Sequence, residues 1–67
     1  MQAYPKISLK AARINAELSQ SDAARLLNIS RSTLMNYESG KTVPDWDIVQ
    51  RIGEVYHFPV DHIFFGS

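Results

Sequence analysis

Residues 19–41 read SQSDAARLLNISRSTLMNYESGK, and this pattern predicts two short helices joined by a tight turn. Ser19 and Asp22 stand three residues apart, as in a capping box, where each side chain accepts a hydrogen bond from the other residue's backbone N–H. Ala24 is small, which suits the close crossing of two helices in such a motif. Asn28 is expected to end the first helix, because asparagine tolerates the left-handed backbone conformation better than most residues.

The second helix of the pair is expected to begin after Ser30, a residue that favours the N-cap position. It runs to about Glu38, and Gly40 ends it. Its outward side chains follow the spacing i, i+1, i+4 and i+5, which places them on one flank of a helix. These residues are Arg31, Ser32, Met35 and Asn36.

This outward flank carries chemistry that suits the edges of DNA bases. Arginine can donate two hydrogen bonds to guanine, asparagine pairs with adenine, and methionine can contact a thymine methyl group. For any single residue, an ordinary solvated surface position explains a polar side chain about as well. The four residues together, in one helical frame, favour a helix that enters the major groove.

Residues 8–64 resemble the Cro and phage-repressor family of helix-turn-helix proteins, also described as lambda-repressor-like or XRE-type. The E-x-G-K-x-x-P segment that follows the two helices in the correct frame makes the resemblance specific. It implies an all-α fold, a compact five-helix bundle with a helix-turn-helix, and a partner that is double-stranded operator DNA. The residues that carry it are Leu9, Arg13, Leu18-Ser19-Gln20, Ala24, Leu27, Ile29-Ser30, Ser32-Thr33-Leu34, Tyr37-Glu38-Ser39-Gly40-Lys41 and Pro44.

The first helix places Arg13 on a face that is otherwise apolar, where a charged side chain needs a partner. In the resembled family, the arginine at this position pairs with the glutamate that ends the recognition helix, here Glu38. The resemblance therefore predicts a buried or partly buried ion pair. The alternative is that the side chain of Arg13 extends along the apolar face to solvent.

The resemblance also assigns contacts with the DNA backbone, which position a protein without reading sequence. Gln20 is expected at a phosphate near the N-terminus of the second helix, where backbone N–H groups favour an anion. Thr33, Lys41 and Thr42 are expected to hold the neighbouring backbone. The base edges are left to Arg31, Ser32 and Asn36, with Met35 as an apolar contact.

A single recognition helix reads only a few base pairs, and proteins of this class bind two half-sites as a pair. We therefore expect a homodimer on DNA, with weak or no dimerisation free in solution. Ile48, Val55 and Phe65 could form a small apolar interface for the second copy. The alternative is that these side chains complete the core of a single copy.

The remaining segments are expected to support the motif. Ser8 should cap a first helix and Asp45 a fourth, while Pro59 should begin a fifth. Gly53 would allow close approach of another helix, and His57 would end the fourth helix in the left-handed region. The fourth helix carries a stripe of expected core residues: Trp46, Val49, Ile52, Gly53 and Tyr56.

The length of 67 residues allows one domain, residues 1–67, with residues 1–7 as an N-terminal arm. The formal net charge is zero, but the charges are unevenly distributed. Residues 1–43 carry six basic and three acidic side chains, a balance of +3, whereas residues 44–67 carry one basic and four acidic side chains, a balance of −3. A basic half that contains the motif suits a domain with one DNA-facing side.

Other functional classes find no support in the sequence. It has no run of about 18 apolar residues and no signal region, so we expect a cytoplasmic protein of a bacterial or phage-infected cell, without membrane partners. His57 and His62 are poorly spaced for one helical face and cysteine is absent, so no metal is expected. Without a nucleophile motif or a glycine-rich phosphate loop, we expect no catalysis, no cofactor and no small-molecule substrate.

Two functions of different classes remain in competition. The first is a sequence-specific DNA-binding transcriptional regulator, either Cro-like or a small phage or bacterial repressor. The second is a helix-turn-helix module that holds a protein partner, such as a toxin or a transcription factor. Arg31 and Asn36 favour the first. Leu26 and the three residues of the suggested dimer interface favour the second, because they are apolar at positions expected to be exposed.

Overall fold

The computed structural model describes residues 6–65. Most of these residues belong to four α-helices: α1 (Leu9–Asn15), α2 (Gln20–Leu27), α3 (Arg31–Ser39) and α4 (Trp46–Tyr56). The described residues also include two short strands and one short 3-10 helix: β1 (Ile7–Ser8), the 3-10 helix (Val60–His62) and β2 (Ile63–Phe64). Residues 1–5 of the expected N-terminal arm lie outside the described residues.

Each α-helix begins after the residue that the sequence predicts, because a polar side chain caps its first turn. The Oγ atoms of Ser8 and Ser19 each accept a hydrogen bond from the backbone N–H three residues ahead, at 3.0 Å. Ser30 and Asp45 cap α3 and α4 in the same way, at 3.1 Å. These bonds satisfy N–H groups that have no partner within the helix. The four predicted caps are therefore confirmed.

Three of the helices end in a left-handed backbone conformation, as predicted. Asn28 has φ 60°, Gly40 has φ 82° and His57 has φ 53°. Asparagine and histidine are among the non-glycine residues that tolerate this region best. Glu17, just beyond α1, also has a positive φ of 62°, which the sequence pattern did not predict.

The predicted five-helix bundle is wrong in its last element. After Pro59, only Val60–His62 are helical, and Ile63–Phe64 form β2, which pairs in parallel with β1. Ile7 lies opposite Ile63, whose side chain is buried. A β-branched residue followed by an aromatic one favours a strand when a partner strand is in place. The fold is thus a four-helix domain closed by a two-stranded sheet.

The core lies between α2, α3 and α4, and α1 packs against α3 and α4. Leu27, Leu34 and Ile52 contribute one fully buried side chain from each of the three central helices. Tyr56, near the end of α4, is also buried. Each of these residues was expected to face inward, so the helical periodicity correctly predicted the centre of the core.

Trp46 was expected in the core stripe of α4, but its side chain is 69% exposed. Side chains on a helix lean toward its N-terminus, and Trp46 is the first residue of α4. This lean carries a first-turn side chain toward the end of its own helix, and the indole of Trp46 is left mostly in solvent. Periodicity assigns a face to this residue, but it does not show that the neighbouring helices extend far enough to cover it.

Gly53 confirms the expected close approach, although the neighbour is the 3-10 helix and not a fifth α-helix. A Cβ atom added at Gly53 would lie 2.9 Å from Cγ1 of Val60 and 3.6 Å from the backbone oxygen of Phe58. The first distance is shorter than real Cβ contacts allow. The absence of a side chain at Gly53 therefore lets the segment after α4 fold back tightly against it.

The three residues suggested for a dimer interface, Ile48, Val55 and Phe65, are half-buried and pack against the core. This placement agrees with the alternative in which they complete a single copy. Leu26 is exposed, as expected. Within residues 6–65, the other large apolar side chains that are exposed are Ile14, Met35, Val43, Trp46 and Phe64.

Within residues 6–65, none of the helices is both long and apolar enough to cross a membrane. Over the same range, no three His, Cys, Asp or Glu side chains are grouped so that they could hold a metal ion.

Candidate nucleic-acid interface

The outward face of α3 presents the side chains that the sequence assigned to base reading. Arg31, Ser32 and Met35 are exposed, and Asn36 is half-buried. Leu34, on the opposite face of the same helix, is fully buried and anchors α3 to the core. The four candidate residues therefore lie together on a helix whose back is fixed by packing.

The backbone hydrogen bonds of a Schellman motif fix the loop after α3 against the end of that helix. The backbone N–H of Gly40 donates to the Tyr37 carbonyl oxygen at 3.2 Å, and that of Lys41 donates to the Asn36 carbonyl oxygen at 2.9 Å. The N–H of Thr42 reaches the same Asn36 oxygen at 3.3 Å. Lys41 and Thr42, which were expected to contact phosphates, are both exposed. The backbone bonds keep these two residues next to the base-reading face.

Thr33 was expected to contact the DNA backbone and lies in the first turn of α3. Its hydroxyl is 2.8 Å from Oγ of Ser30, and its backbone N–H donates to the same Ser30 oxygen at 3.1 Å. The side chain is half-buried. Thr33 thus takes part in the cap of α3, and its hydroxyl already has a hydrogen-bond partner within the protein.

An open cleft of about 440 Å³ lies beside the base-reading face, at the N-terminus of α2. It brings together cationic side chains from α1 and α3 with the first residues of α2, whose backbone N–H groups carry partial positive charge. An anion is the ligand that such a lining favours. The lining residues are Lys10, Arg13, Ser19, Gln20, Ser21 and Arg31.

Lys10 and Ser21 belong to this cleft but were not assigned a role from the sequence. Lys10 is exposed on α1 and stands three residues before Arg13, so the two share one side of the helix. This spacing could have indicated that Lys10 lies near α3, because Arg13 was already expected to pair with Glu38 of that helix. Ser21 follows Gln20 directly in the first turn of α2, and no pattern in the sequence distinguishes it from other surface serines.

Arg13 and Glu38 form the expected ion pair across α1 and α3. Nε of Arg13 lies 2.7 Å from Oε2 of Glu38, and the two side chains are only 9% and 6% exposed. Arg13 also donates from Nη1 to the Leu18 carbonyl oxygen at 2.8 Å. This bond fixes the segment between α1 and α2, so the pair ties three parts of the domain together.

Gln20 was expected at a phosphate, and its side chain also has partners inside the protein. Its Nε2 donates to Oε1 of Glu38 at 3.0 Å, and its Oε1 accepts a hydrogen bond from Nε of Arg31 at 3.4 Å. The second distance is at the long end of the hydrogen-bond range, so that bond is weak. The sequence did not predict either contact, because both depend on how α2 crosses α3.

The side chain of Tyr56, on α4, lies near the ion pair of Arg13 and Glu38. Its hydroxyl is buried and has no hydrogen-bond partner among the described residues. Burial, with a smaller contribution from the negative charge of Glu38, raises the pKa of Tyr56 to about 12, while the positive charge of Arg13 acts in the opposite direction. The phenol therefore stays neutral beside the ion pair at physiological pH.

Comparison with known proteins places this geometry in a family. Residues 7–63 match the family described as "Helix-turn-helix domain". The chain is also 36% identical over 55 residues to the HTH-type transcriptional regulator ImmR of Bacillus subtilis (strain 168). That alignment covers 82% of this chain but 43% of the relative, so the chain spans less than half of the relative's length. The match over residues 7–63, together with the capped α2–turn–α3 unit, shows that this chain belongs to the helix-turn-helix domain family, of the XRE type.

Proposed function

We propose that this chain binds double-stranded DNA in a sequence-specific way, with α3 in the major groove, and that it regulates transcription at an operator. The observation that carries the proposal is the exposed flank of Arg31, Ser32 and Met35 directly beside a cation-lined cleft. A recognition surface for DNA needs both features, because base contacts specify the sequence while phosphate contacts set position. We propose a Cro-like protein or a small phage or bacterial repressor, acting in the cytoplasm by binding and without catalysis.

The charge distribution supports the same orientation on DNA. Lys10 and Arg31 line the cleft at one side of the base-reading face, and Lys41 is exposed at the other end of α3. Lys10 and Lys41 fit the two backbone strands that border a major groove, while Arg31 is left to the base edges. Because their number is small, we expect modest non-specific affinity and a shallow dependence of affinity on salt.

The relative adds support of a different kind. The printed name of the Bacillus subtilis protein describes it as an HTH-type transcriptional regulator. Because this chain spans 43% of that protein, the similarity concerns one part of it. We extend to this chain the regulatory role in that name, and we propose that the shared part is the part that binds DNA.

Each residue then has a proposed task. Arg31 is the strongest candidate for base reading, because its planar guanidinium fits O6 and N7 of guanine. Ser32, Met35 and Asn36 read the neighbouring bases. Thr33, Gln20 and the loop that contains Lys41 and Thr42 lie against phosphates. Lys10 adds a phosphate contact from α1.

We also propose that two copies bind one operator, because a single nine-residue recognition helix covers only a few base pairs. Since Ile48, Val55 and Phe65 pack on their own core, a second copy would contact them only at their exposed edges. Native mass measurement of the complex decides the number of copies. One protein chain per operator would exclude the dimer.

A protein-interaction module is the second candidate, and one observation favours it. Val43, in the loop before α4, and Trp46, the first residue of α4, are 63% and 69% exposed and lie three residues apart. Exposed apolar side chains of this size occur often where another protein binds. In this case, substitution of Trp46 would abolish binding to the partner, while Arg31 would be dispensable.

A selection of DNA ligands from a random duplex pool, followed by gel shifts at low and moderate salt, tests the proposal. Arg31→Ala should lower affinity for the selected sequence by about 5- to 150-fold and relax the preference at one base position. Lys41→Ala should weaken all sequences alike and reduce the salt slope by about one unit or less. Arg25→Ala is the charge-matched control, since Arg25 is exposed on α2 and paired with Asp22.

One result would contradict DNA reading by α3, and another would reverse the roles of Arg31 and Lys41. If no sequence is enriched, or if Arg31→Ala and Arg25→Ala have the same effect on every duplex, α3 does not read DNA. If Lys41→Ala changes base preference while Arg31→Ala weakens all sequences equally, the roles of the two residues are reversed.

A further inference from the structure

Four side chains form a continuous polar chain from the core of the domain to its base-reading face. The Arg13 guanidinium donates to Glu38 at 2.7 Å, and Glu38 accepts from Gln20 at 3.0 Å through its other oxygen. Gln20 in turn accepts from Arg31 at 3.4 Å. The first two members are almost fully buried, whereas Arg31 is exposed. The chain of hydrogen bonds therefore links a buried ion pair to an exposed side chain.

The direction of these hydrogen bonds is set by chemistry. A carboxylate can only accept hydrogen bonds, so Glu38 must face the NH2 end of the Gln20 amide. The amide is planar, which turns its oxygen toward Arg31. An arginine side chain has donors only, so it fits that oxygen. Reversing the amide would place the Gln20 oxygen against the carboxylate and its NH2 group against Arg31, and both contacts would be repulsive.

We infer that Glu38, acting through Gln20, is a positioning residue for Arg31, and that this chain holds the guanidinium over the cleft before DNA binds. The inference rests on the proposed function, since it assigns a role in base reading to two residues that need not touch a base. The weak 3.4 Å contact suits this role, because Arg31 can keep or exchange it when a guanine is presented. A side chain that is partly ordered in advance loses less conformational freedom on binding.

The measurable consequence is a loss of preference at one base position. Gln20→Met keeps the length of the side chain but removes both hydrogen bonds. It should lower the discrimination for guanine at the position read by Arg31 by about two- to tenfold, the range expected for the ordering of one long side chain. In an Arg31→Ala background, Gln20→Met should cause no further loss at that position. Gln50→Met, the same change at an exposed position of α4, is the control.

A role for Gln20 as a phosphate contact alone gives a different result. In that case Gln20→Met would weaken all duplexes equally and leave the base preference unchanged. It would also lower affinity to the same extent with and without Arg31→Ala. Either observation would overturn the inference while leaving the proposed DNA binding intact.

A measurement on the free protein separates failure of the inference from failure of the proposed function. The Arg31 Nε–H resonance in a ¹H–¹⁵N spectrum should shift in Gln20→Met, and its exchange with solvent should become faster. Glu38→Gln should move the same resonance in the same direction, because a glutamine at position 38 can donate and no longer orients the Gln20 amide. Gln50→Met should leave it in place.

If the Arg31 Nε–H resonance is the same in wild type and Gln20→Met, Gln20 does not hold Arg31 and the inference is wrong, whatever the DNA result. If Glu38→Gln does not fold, Gln20→Met still tests the contact with Arg31, and the Arg31 resonance in Arg13→Met combined with Glu38→Leu tests the role of Glu38. If the resonance shifts as expected but no duplex is bound, the contact exists and the proposed function is what fails.

Discussion

Tyr56→Phe should make the domain more stable, which is unusual for a substitution at a fully buried position. Tyr56 is 2% exposed, and its hydroxyl has no hydrogen-bond partner among the described residues. Burying a hydroxyl without a partner costs about 1–3 kcal/mol, because its hydrogen bonds to water are lost on folding. Phenylalanine keeps the packing of the ring and removes that cost. We expect a gain of about 1 kcal/mol at pH 7, or roughly 4–8 °C in Tm for a domain of this size.

The same hydroxyl predicts a pH dependence with a definite sign. The pKa of Tyr56 is raised from 10.0 to about 12 in the folded protein. The unfolded chain therefore releases this proton at lower pH than the folded one, and below pH 10 the neutral phenol is more favourable for folding than the phenolate would be. That contribution is lost as the pH rises from 10 to about 12. A shift of about two pKa units corresponds to roughly 2–3 kcal/mol of stability lost over this range.

Urea unfolding followed by circular dichroism, at pH 7 and at steps between pH 9 and 12, measures both effects. Other groups also titrate at high pH, so the informative quantity is the difference in stability between Tyr56→Phe and wild type. This difference should grow above pH 10. Tyr37→Phe, at a half-buried position on α3, is the matched control for effects that follow from the loss of any phenol. The reasoning fails if Tyr56→Phe destabilises the domain at pH 7 by more than about 1 kcal/mol, since the hydroxyl must then have a partner.

Three further predictions concern stability and can be measured by urea unfolding at pH 7. Arg13→Met should cost about 3–5 kcal/mol because it leaves the Glu38 carboxylate buried without an opposite charge, and Arg13→Met combined with Glu38→Leu should cost far less. Equal losses in the two variants would exclude the pair as the cause. Gly53→Ala should be destabilising by about 1–2 kcal/mol, because overpacking against Val60 outweighs the gain of about 1 kcal/mol in helix propensity. In a Val60→Ala background the same change should become stabilising. Trp46→Ser should change stability by no more than about 0.5 kcal/mol, whereas a core tryptophan would cost several times as much.

The sequence predicted the helices of this domain well wherever a few adjacent residues decide the structure. Ser19 and Asp45 cap their helices through bonds to residues three positions away, and Asn28 and Gly40 end theirs by their own backbone preferences. Such signals do not depend on the rest of the fold. The same is true of the outward flank of α3, which follows from helical spacing alone.

The sequence failed where the outcome depends on a distant neighbour. Ile63–Phe64 were expected to continue the helix after Pro59, but they pair with Ile7–Ser8, more than 50 positions earlier in the chain. Trp46 has the correct spacing for the core, yet none of the described elements covers it. Gln20 has an inward partner only because α2 crosses α3 at Glu38. The ion pair of Arg13 was the exception, because the resemblance to a known family supplied its partner.

Glu38 connects the stability of this domain with its proposed recognition of DNA. One carboxylate oxygen neutralises a buried arginine, and the other orients the Gln20 amide toward Arg31. Substitution of Glu38 should therefore affect both unfolding and base preference. Variants of its two partners separate these effects, because Arg13→Met removes the buried opposite charge together with the bond to the Leu18 carbonyl oxygen, whereas Gln20→Met removes the partner that leads to Arg31. If Gln20→Met lowered stability as much as Arg13→Met, the amide would belong to the core and its contact with Arg31 would be incidental.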